Sequence, residues 1–511
     1  MSTDLLLGVD VGTASSKAVL ASPTGEVIAS AELPHPVSTP QPGHVEQDAE
    51  AIWWADLVRL ARRLRERVPA GGRIAGVGLS AIGPCLLPLD DRGRPLRPGI
   101  LYGVDTRASQ QIAELEARWG EEELRRFSRM PLTSQSIGPK ILWLRQHEPH
   151  LFARARWLVT ATTYLVHRLT GAMVLDRHTA SYFQPLIDLD RLEWTDRFAA
   201  DLVDLRLLPR LGWCDEVAGR VTAEAAAATG IPEGTPVTVG AVDALAEAVS
   251  VGVVEPGELM VMYGSTMFFI AVTDRLVPST VTWTTAGVRA GRWNVAAGMA
   301  TSGAATAWFR DQLARDLDTD GRAYALLAEE AAASPPGANG LLFLPYLSGE
   351  RTPLNDPLAR GVIAGLRLDH TRADLYRALL EGIALAAAHN LETMRDMGVQ
   401  VRRAVAVGGG TRNPLWLQLV SDATGLEQEV PRTTLGAAYG DAFLAGIATG
   451  LVSGYDALRS GWVRPGRRVR PDPAAVPVSR ERFALFRRLY EDSRSVVHEL
   501  AWRHLEGAST R

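Results

Sequence analysis

A polar, glycine-containing turn near the N-terminus carries residues that could hold a phosphate group and a metal ion. It joins two apolar, strand-like runs, and its polar positions are Asp10, Gly12, Thr13, Ser15 and Lys17. Glycine adopts backbone geometries that other residues resist, hydroxyls donate hydrogen bonds, and successive amides in such turns form anion-binding concavities. Asp10 stands where hydrated Mg²⁺ would need a carboxylate. The spacing predicts a phosphate loop, and a β-hairpin with a polar tip is the alternative.

A single carboxylate, Asp243, stands between an apolar strand-like run at residues 236–242 and an apolar helical stretch. In a catalytic role it would accept the proton of an attacking hydroxyl while Mg²⁺ and the phosphate loops stabilise a transferring γ-phosphoryl group. In a structural role it would be a helix N-cap, a position that Asp favours. The residues alone leave both interpretations open, and a capping orientation does not exclude catalysis.

Gly264, Ser265 and Thr266 form the tip of a second predicted hairpin, whose strands are residues 259–263 and 268–273. Like the first turn, this tip has amides and hydroxyls to present to the outer phosphates of a nucleotide. Taken alone, the tripeptide is weak evidence.

A glycine triplet, Gly408, Gly409 and Gly410, follows an apolar strand and leads through Asn413 into a predicted helix at residues 415–424. Glycines let the backbone approach a flat or charged ligand, and a helix N-terminus adds the positive end of a dipole. The pattern favours a ligand site over a plain strand-to-helix turn.

The elements that position these residues occur in two similar series. After the first hairpin come a predicted third strand at residues 25–31, a helix at 48–68 and a buried strand at 74–80, an order that fits a mixed sheet covered by helices. A comparable series begins near Gly257. We therefore predict an α/β protein with two ribonuclease-H-like domains that face a central cleft.

Glycines and a proline interrupt the pattern at residues 249–257, and this segment is the predicted domain boundary. The N-terminal domain is assigned to residues 1–250 and the C-terminal domain to residues 251–511. Sites commonly form where two such domains meet.

Composition limits the possible partners and location. The 511 residues carry a net charge of −4, which gives no chain-wide basic field for nucleic acid. No run is long enough to span a bilayer, and Cys85 and Cys214 form neither a zinc cluster nor a disulfide framework. A cytoplasmic protein is expected, without nucleic-acid or membrane partners and with a homodimer as a possible assembly.

Longer segments carry a resemblance to a known family. The spacing of the first turn resembles the first phosphate loop of the sugar-kinase, hexokinase, actin and Hsp70 superfamily. The chain is more narrowly similar to the FGGY carbohydrate kinases, xylulokinase-like members in particular. The segments that carry this similarity are residues 140–149, the Gly-Glu-Arg-Thr-Pro turn at 349–353, and residues 361–366 with 374–381. Ile137 and Leu379 depart from the family signatures.

The resemblance implies an ATP-dependent kinase of actin-like architecture that phosphorylates a hydroxyl of a small sugar or polyol. By position, Asp243 is the catalytic base and Asp10 and Asp243 are the metal residues. The N-terminal domain binds the sugar, and the C-terminal domain binds adenosine. The implied ATP-binding residues lie in the two phosphate loops and the glycine triplet: Gly12, Thr13, Ser15, Lys17, Gly264, Ser265, Thr266, Gly408, Gly409, Gly410 and Asn413.

The predicted sugar pocket departs from the family. Xylulokinases carry Gln-Met-His-Gly, and glycerol kinases Arg-Glu, where this chain has Ser80, Ala81 and Ile82. Asp105 is a predicted hydroxyl acceptor and Tyr102 a predicted pocket wall, an exposed turn acid and a core aromatic being their alternatives. Asp243 and these residues make up the predicted substrate site. A ketopentose such as xylulose is the leading acceptor, and another polyol, a sugar acid or a deoxy sugar is the alternative, because the usual polar contacts are missing.

Two alternative functions from other classes of protein remain, an actin-like ATPase and a non-catalytic regulator. The same phosphate loops serve actin-like ATPases, but those proteins lack segments like residues 140–149 and 361–381. A regulator that binds sugar or nucleotide without catalysis would fit the altered pocket, although intact Asp10 and Asp243 argue against it.

Overall fold

Two mixed β-sheets, each of seven strands, form the framework of the described part of the chain. The computed structural model describes residues 3–317 and 321–509. Every strand of the first sheet precedes residue 243, and every strand of the second sheet follows residue 257. The chain is therefore built from two α/β halves in sequence order.

The first sheet brings the future site residues side by side. Its strands, in spatial order, are Val217–Arg220, Pro236–Thr238, Gly72–Ala81, Thr3–Val11, Ser15–Ala21 and Val27–Pro34, with Ala241–Val242 also beside Gly72–Ala81. Asp10 pairs with Lys17 on the antiparallel neighbour and with Ser80 on the parallel neighbour. Register alone thus places three polar side chains at one edge of the sheet.

Helices cover both faces of the first sheet. On one face, Leu5, Leu7 and Val9 pack in the same apolar core as Leu57 and Leu60. The helices of this half are Ala55–Arg65, Ser109–Trp119, Glu121–Ser128, Ile137–His147, Pro149–Arg154, Ala161–Thr170, Arg177–Ala180, Ala223–Thr229 and Asp243–Ser250. A π-helical turn, Ala49–Trp54, precedes the first of them. In the helix Ala55–Arg65, apolar residues recur at helical spacing, so Leu57, Leu60 and Leu64 lie on its buried face.

The second sheet repeats the arrangement around a second core. Its strands, in spatial order, are Trp283–Ala286, Trp293–Met299, Met267–Thr273, Glu258–Tyr263, Arg403–Val407, Gln428–Val430 and Arg467–Val469. Its helices are Gly303–Leu313, Ala323–Ala333, Arg372–Asp396, Pro414–Thr424, Ala437–Ala448 and Ala475–Ser509. Of the described helices, none has the length and apolar character needed to cross a membrane.

Shorter pairs of strands complete the fold. They are Glu46–Gln47 with Gly99–Ile100, Leu87–Leu89 with Trp157–Val159, Val174–Asp176 with Arg210–Gly212, Ile187–Asp188 with Glu193–Trp194, and Leu342–Leu344 with Val362–Ala364. Single-turn 3₁₀ or π segments lie at Leu205–Leu207, Arg315–Leu317, Ala338–Gly340, Gly409–Arg412 and Leu458–Trp462.

One helix of the second half, Ala437–Ala448, packs against the sheet of the first half, and we call it the junction helix. A β-carbon added at Gly8 would lie 1.8 Å from the carbonyl oxygen of Ala438, and one at Gly78 would lie 1.9 Å from that of Asp441. Such distances leave no room for any side chain at these two positions. The two halves are therefore in backbone-to-backbone contact beside Asp10.

The predicted elements agree closely with the observed ones. The second hairpin and the strand before the glycine triplet are confirmed, and the third strand runs from Val27 to Pro34 rather than over residues 25–31. The helix predicted for residues 48–68 begins as a π-helical turn that Asp48 caps by accepting the amides of Glu50 and Ala51.

Candidate active site where the two halves meet

The first loop places Asp10, Gly12 and Thr13 at the end of the strand Thr3–Val11. The Gly12 amide donates to the Ser15 carbonyl at 3.1 Å, and a β-carbon at Gly12 would lie 3.0 Å from that oxygen. Gly12 does not adopt the left-handed conformation. The reason for glycine here is therefore close backbone approach, which corrects the prediction of an unusual backbone geometry.

Ser15 and Lys17 lie on the next strand and share one acidic neighbour. The Ser15 hydroxyl donates to Glu32 Oε1 at 2.8 Å, and the Lys17 ammonium lies 3.7 Å from the same oxygen. Lys17 keeps 42% of its side chain exposed, so its ammonium remains accessible from solvent. Its charge also acts on Asp10, where it opposes the rise in pKa that burial causes.

Asp243 is the first residue of the helix Asp243–Ser250, and its Oδ1 accepts the backbone amide of Ala244 at 2.7 Å. Burial raises the pKa of Asp243, and the nearby charge of Asp10 raises it further. Glu247, one turn later, has a pKa that burial raises to about 7, again with a contribution from Asp10. Several carboxylates that repel one another are thus held in one place, an arrangement typical of a functional site.

The second loop abuts the start of the helix Gly303–Leu313. The Gly264 carbonyl accepts the Gly303 amide at 3.0 Å, and the Ser265 carbonyl accepts the Ala304 amide at 2.9 Å. The side chain of Ser265 is left exposed at the hairpin tip, as is that of Thr266. These contacts fix the tip while its hydroxyls stay free for a ligand.

A cavity of about 970 Å³ opens beside this tip in the second half. Its lining includes Tyr263, Ser265, Tyr324, Gly409, Asn413 and Trp416. Its volume is in the range of small-molecule and cofactor pockets. Asn413 accepts the Trp416 amide at 3.1 Å and caps the helix Pro414–Thr424, whose N-terminus therefore lies at the cavity.

A different feature of the structure explains the presence of glycine at each position of the triplet. Gly408 has a φ of +92°, and a β-carbon there would meet the Tyr263 carbonyl at 2.6 Å. A β-carbon at Gly410 would lie 2.6 Å from the Trp416 ring and 2.9 Å from the Tyr263 β-carbon. Gly409 has no heavy atom of the described chain within 4 Å of that position. The triplet lets the backbone pass close to two aromatic residues and leaves one open face on the cavity.

The charge of Asp243 acts on two tyrosines of the first half, and an arginine of the second half acts on one of them. The Tyr102 side chain is hydrogen-bonded to that of Thr13, burial raises its pKa, and the charges of Asp243 and Arg351 both act on it. Burial and the charge of Asp243 raise the pKa of Tyr182 as well. The Arg351 guanidinium donates to the Met299 carbonyl at 2.7 Å, while its buried Nε has no partner among the described residues. These groups form a polar and aromatic wall beside the carboxylates.

Sequence comparison identifies the family. The sequence models of the FGGY family of carbohydrate kinases match residues 5–250 for the N-terminal domain and 259–449 for the C-terminal domain. The chain belongs to the FGGY family of carbohydrate kinases. The similarity predicted from the residues is thereby confirmed, and the protein is a sugar phosphotransferase.

Relatives of this FGGY kinase carry several names. The xylulose kinase of Escherichia coli is 32% identical over 87% of this chain and 90% of its own length. The gluconokinase of Bacillus subtilis is 28% identical over 89% of this chain and 90% of its own. The crystal structure of xylulose kinase from Rhodospirillum rubrum superposes with a TM-score of 0.89 at 32% identity, covering 97% of this chain and all of that one. The predicted two-domain actin-like fold is confirmed.

The structure places several of the predicted sugar-site residues of this FGGY kinase differently from what we expected. The Asp105 side chain is fully enclosed, and its oxygens accept bonds from Arg107 and from the Val45 amide at 2.7 Å. It is therefore not an exposed turn acid, and the buried arginine that occupies its oxygens argues against the hydroxyl-acceptor role that we predicted. Ala81 and Ile82 are equally buried, so their side chains present nothing to a sugar.

Ser80 also has a different place from the predicted one. Its hydroxyl oxygen lies 2.9 Å from Asp10 Oδ1 and 2.7 Å from Asp441 Oδ2, and the side chain is fully buried. It joins two carboxylates instead of facing a substrate.

Sequence reasoning missed four polar residues at this site. Glu247 lies four residues after Asp243 on one helix, a spacing that could have identified it. Asp441, Tyr182 and Arg351 come from distant segments and are brought together only by the fold.

Proposed function

We propose that this FGGY kinase transfers the γ-phosphoryl group of ATP to a hydroxyl of a small sugar or polyol, with a ketopentose such as xylulose as the leading acceptor. The observation that carries the proposal is Asp243, a carboxylate of raised pKa at a helix start between the two halves. A general base needs a pKa above that of an ordinary carboxylate to accept a hydroxyl proton effectively. Xylulose kinases among the relatives support the choice of acceptor.

The nucleotide is assigned to the cavity of the second half. In this proposal Gly408, Gly409 and Gly410 lie along the adenosine, and Asn413 stands at the same cavity. Gly264, Ser265 and Thr266 contact the outer phosphates together with the first loop, whose amides and Lys17 neutralise their charge. The two loops reach the phosphates from opposite halves.

Mg²⁺ fits the carboxylates of the first half. The charge of Asp10 raises the pKa of Asp243, and a cation held by these two carboxylates would oppose that rise. Within the described chain no group of three or more His, Cys, Asp or Glu residues could hold a metal ion unaided. Mg²⁺ usually takes one or two protein carboxylates and completes its shell with water and substrate phosphates. When bound, it would supply charge neutralisation at the phosphates.

In this proposal, different side chains of the protein carry out the separate steps of the transfer. Asp243 accepts the proton from the acceptor hydroxyl as that oxygen attacks, and Lys17 with the loop amides stabilises the charge of the transferring group. Tyr102 and Tyr182 shape the sugar side of the site and exclude water, which would otherwise compete as an acceptor.

A sugar acid is the second candidate acceptor. Arg351 brings a buried guanidinium with an unpartnered Nε to the wall that carries Tyr102. A carboxylate is the natural partner for such a group. The relative named gluconokinase agrees with this alternative.

The deciding experiment measures ADP release with Mg²⁺ and ATP over pentuloses, hexuloses, polyols, aldonic acids and deoxy sugars. One strong responder that is lost in Asp243→Asn supports the kinase and names its substrate. An aldonate response that is lost in Arg351→Met favours the second candidate. Absence of sugar-dependent release from a folded, ATP-binding protein would favour the regulator.

The remaining assignments are proposals of the same kind. We place the kinase in the cytoplasm, without nucleic-acid or membrane partners, as a possible homodimer. The domains are assigned to residues 1–250 and 251–511, with the junction helix as a part of the second that packs on the first. Light scattering and fractionation test the assembly and the location.

A further inference from the structure

Asp441 is a fully buried acid that the second half inserts into the site of the first half. It lies on the junction helix, and its Oδ2 is 2.7 Å from Ser80 Oγ. The same Ser80 oxygen is 2.9 Å from Asp10 Oδ1. Asp441 therefore reaches the carboxylate that we assign to Mg²⁺ through one intervening hydroxyl.

The number of available hydrogen atoms determines which group donates in each of these two contacts. A serine hydroxyl carries one hydrogen, so Ser80 can donate to only one of its two carboxylate neighbours. The other short contact needs a hydrogen from an acid. Asp10 lies beside Lys17 in the register of the sheet, whereas Asp441 has no exposed surface and no hydrogen bond to a cationic side chain in the described part of the protein. The neutral acid is thus Asp441, because an unpaired buried charge costs far more than a buried neutral group.

The fold holds Asp441 in this position. The carbonyl of Asp441 lies against Gly78, and a β-carbon at Gly440 would lie 2.0 Å from the Ala246 carbonyl. The junction helix is thereby in contact with both the sheet that carries Asp10 and the helix that carries Asp243. The helix has no freedom to withdraw Asp441 without separating the halves.

We propose that Asp441 is a positioning residue of this kinase: as a neutral acid it donates to Ser80, so that the Ser80 hydroxyl is directed at Asp10 and fixes the carboxylate in the orientation that Mg²⁺ requires. The second half thus sets the geometry of a metal residue in the first half. The inference rests on the proposed role of Asp10. Outer-shell partners of this kind orient the ligand that touches the metal.

The test compares Asp441→Asn, Asp441→Ala, Ser80→Ala and the double variant Asp441→Ala/Ser80→Ala. An amide N–H can donate to Ser80 in place of the acid, so Asp441→Asn should stay close to the parent protein. Asp441→Ala and Ser80→Ala should each raise the Mg²⁺ concentration for half-maximal turnover by about tenfold or more. The double variant should need the same Mg²⁺ concentration as the single variants, since all three variants break the same series of hydrogen bonds.

A second readout does not depend on turnover. The rise in melting temperature that Mg²⁺ adds in the presence of ADP should shrink in Asp441→Ala and Ser80→Ala and persist in Asp441→Asn. Unchanged Mg²⁺ dependence in a folded Asp441→Ala would overturn the proposal. So would a loss in Asp441→Asn equal to that in Asp441→Ala, because an ionised side chain would then be required.

Additive losses in the double variant would also count against a single chain of contacts. If Asp441→Ala does not fold, Ser80→Ala and Asp441→Asn still decide the question. If the parent protein phosphorylates no sugar, the proposed function fails, and the thermal response to Mg²⁺ and ADP still tests the role of Asp441.

Discussion

Asp243 is the residue on which the proposed chemistry depends most directly. Replacing its carboxylate by an amide keeps the size and the contact to the Ala244 amide but removes the proton acceptor. Asp243→Asn should lower kcat by about 10² to 10⁴, the usual contribution of a general base. ATP affinity, measured by calorimetry, should change little, and Asp369→Asn at an exposed ion pair serves as the control. If Asp243→Asn kept a kcat within about twofold of that of the parent protein, Asp243 would not be the general base.

The pH dependence of turnover follows from the same side chain. Burial and the charge of Asp10 raise the pKa of Asp243 above its ordinary value of 3.8. A base works only when ionised, so kcat/KM should fall as the pH decreases through that raised pKa and level off above it. The profile should be measured over about pH 5 to 9 at saturating ATP and at several Mg²⁺ concentrations, because a cation bound near Asp10 and Asp243 would lower the pKa of Asp243. A flat profile down to the lower limit would show that Asp243 ionises normally or plays no part.

Asp105 tests the corrected sugar site. It pairs with Arg107 at 2.7 Å, and both side chains are fully enclosed. Removing Asp105 leaves the enclosed Arg107 guanidinium with Glu46 as its remaining ionic partner, a carboxylate that Arg97 shares, so Asp105→Ala should reduce the free energy of unfolding by about 3 kcal/mol. Denaturant titration measures this loss, and Asp204→Ala at an exposed pair with Arg206 should show no comparable change. A specific rise in the KM for sugar without loss of stability would return Asp105 to the substrate site.

At the scale of single elements, the glycine triplet makes a sharp prediction. A β-carbon at Gly410 would collide with Trp416 and Tyr263, which line the cavity that we propose for the nucleotide. Gly410→Ala should therefore displace both rings and weaken ATP binding by about tenfold, roughly 1.4 kcal/mol. Gly454→Ala is the matched control, because a β-carbon there meets no atom within 4 Å. Equal affinities of the two variants for ATP would show that adenosine does not bind beside the glycine triplet.

Elements with local signals were predictable from the sequence. The two hairpins, the strand before the glycine triplet and the helix after it are encoded by apolar periodicity and by glycine placement, and they appear as expected. The role of Ser80 was not predictable, because its two partners come from another strand and from a helix 361 residues further along the chain. For Asp105, the pairing with Arg107 two residues later was within reach of the sequence, whereas its enclosure and its contact with the Val45 amide, 60 residues away, could not be read from any local pattern.

At the scale of the whole molecule, the contact between the junction helix and the first sheet decides whether the halves fit together. A β-carbon at Gly78 would lie 1.9 Å from the backbone of Asp441, whereas one at Gly76 would meet the Thr449 side chain at 2.9 Å and the Ala445 carbonyl at 3.4 Å. Side chains can shift more readily than backbone can. Gly78→Ala should cost about 1 to 3 kcal/mol of stability and lower turnover, and Gly76→Ala should cost less.

Melting curves and sugar-dependent ADP release measure this pair of variants. The comparison is well matched because both glycines lie on the same strand, Gly72–Ala81, and beneath the same helix. Equal stability of the two variants would mean that the junction helix moves freely over the sheet.

The same contact has a consequence for synthesis on the ribosome. The face of the first sheet at Gly8 and Gly78 is covered by a helix that begins at Ala437. While the ribosome is still translating the second half, the nascent first half has no partner for that face. Apolar residues that later pack against the junction helix, Val19 and Leu245 among them, then stay exposed to solvent. We expect the emerging chain to need chaperone protection over this interval, and a fragment ending at residue 250 to aggregate when expressed without the remainder.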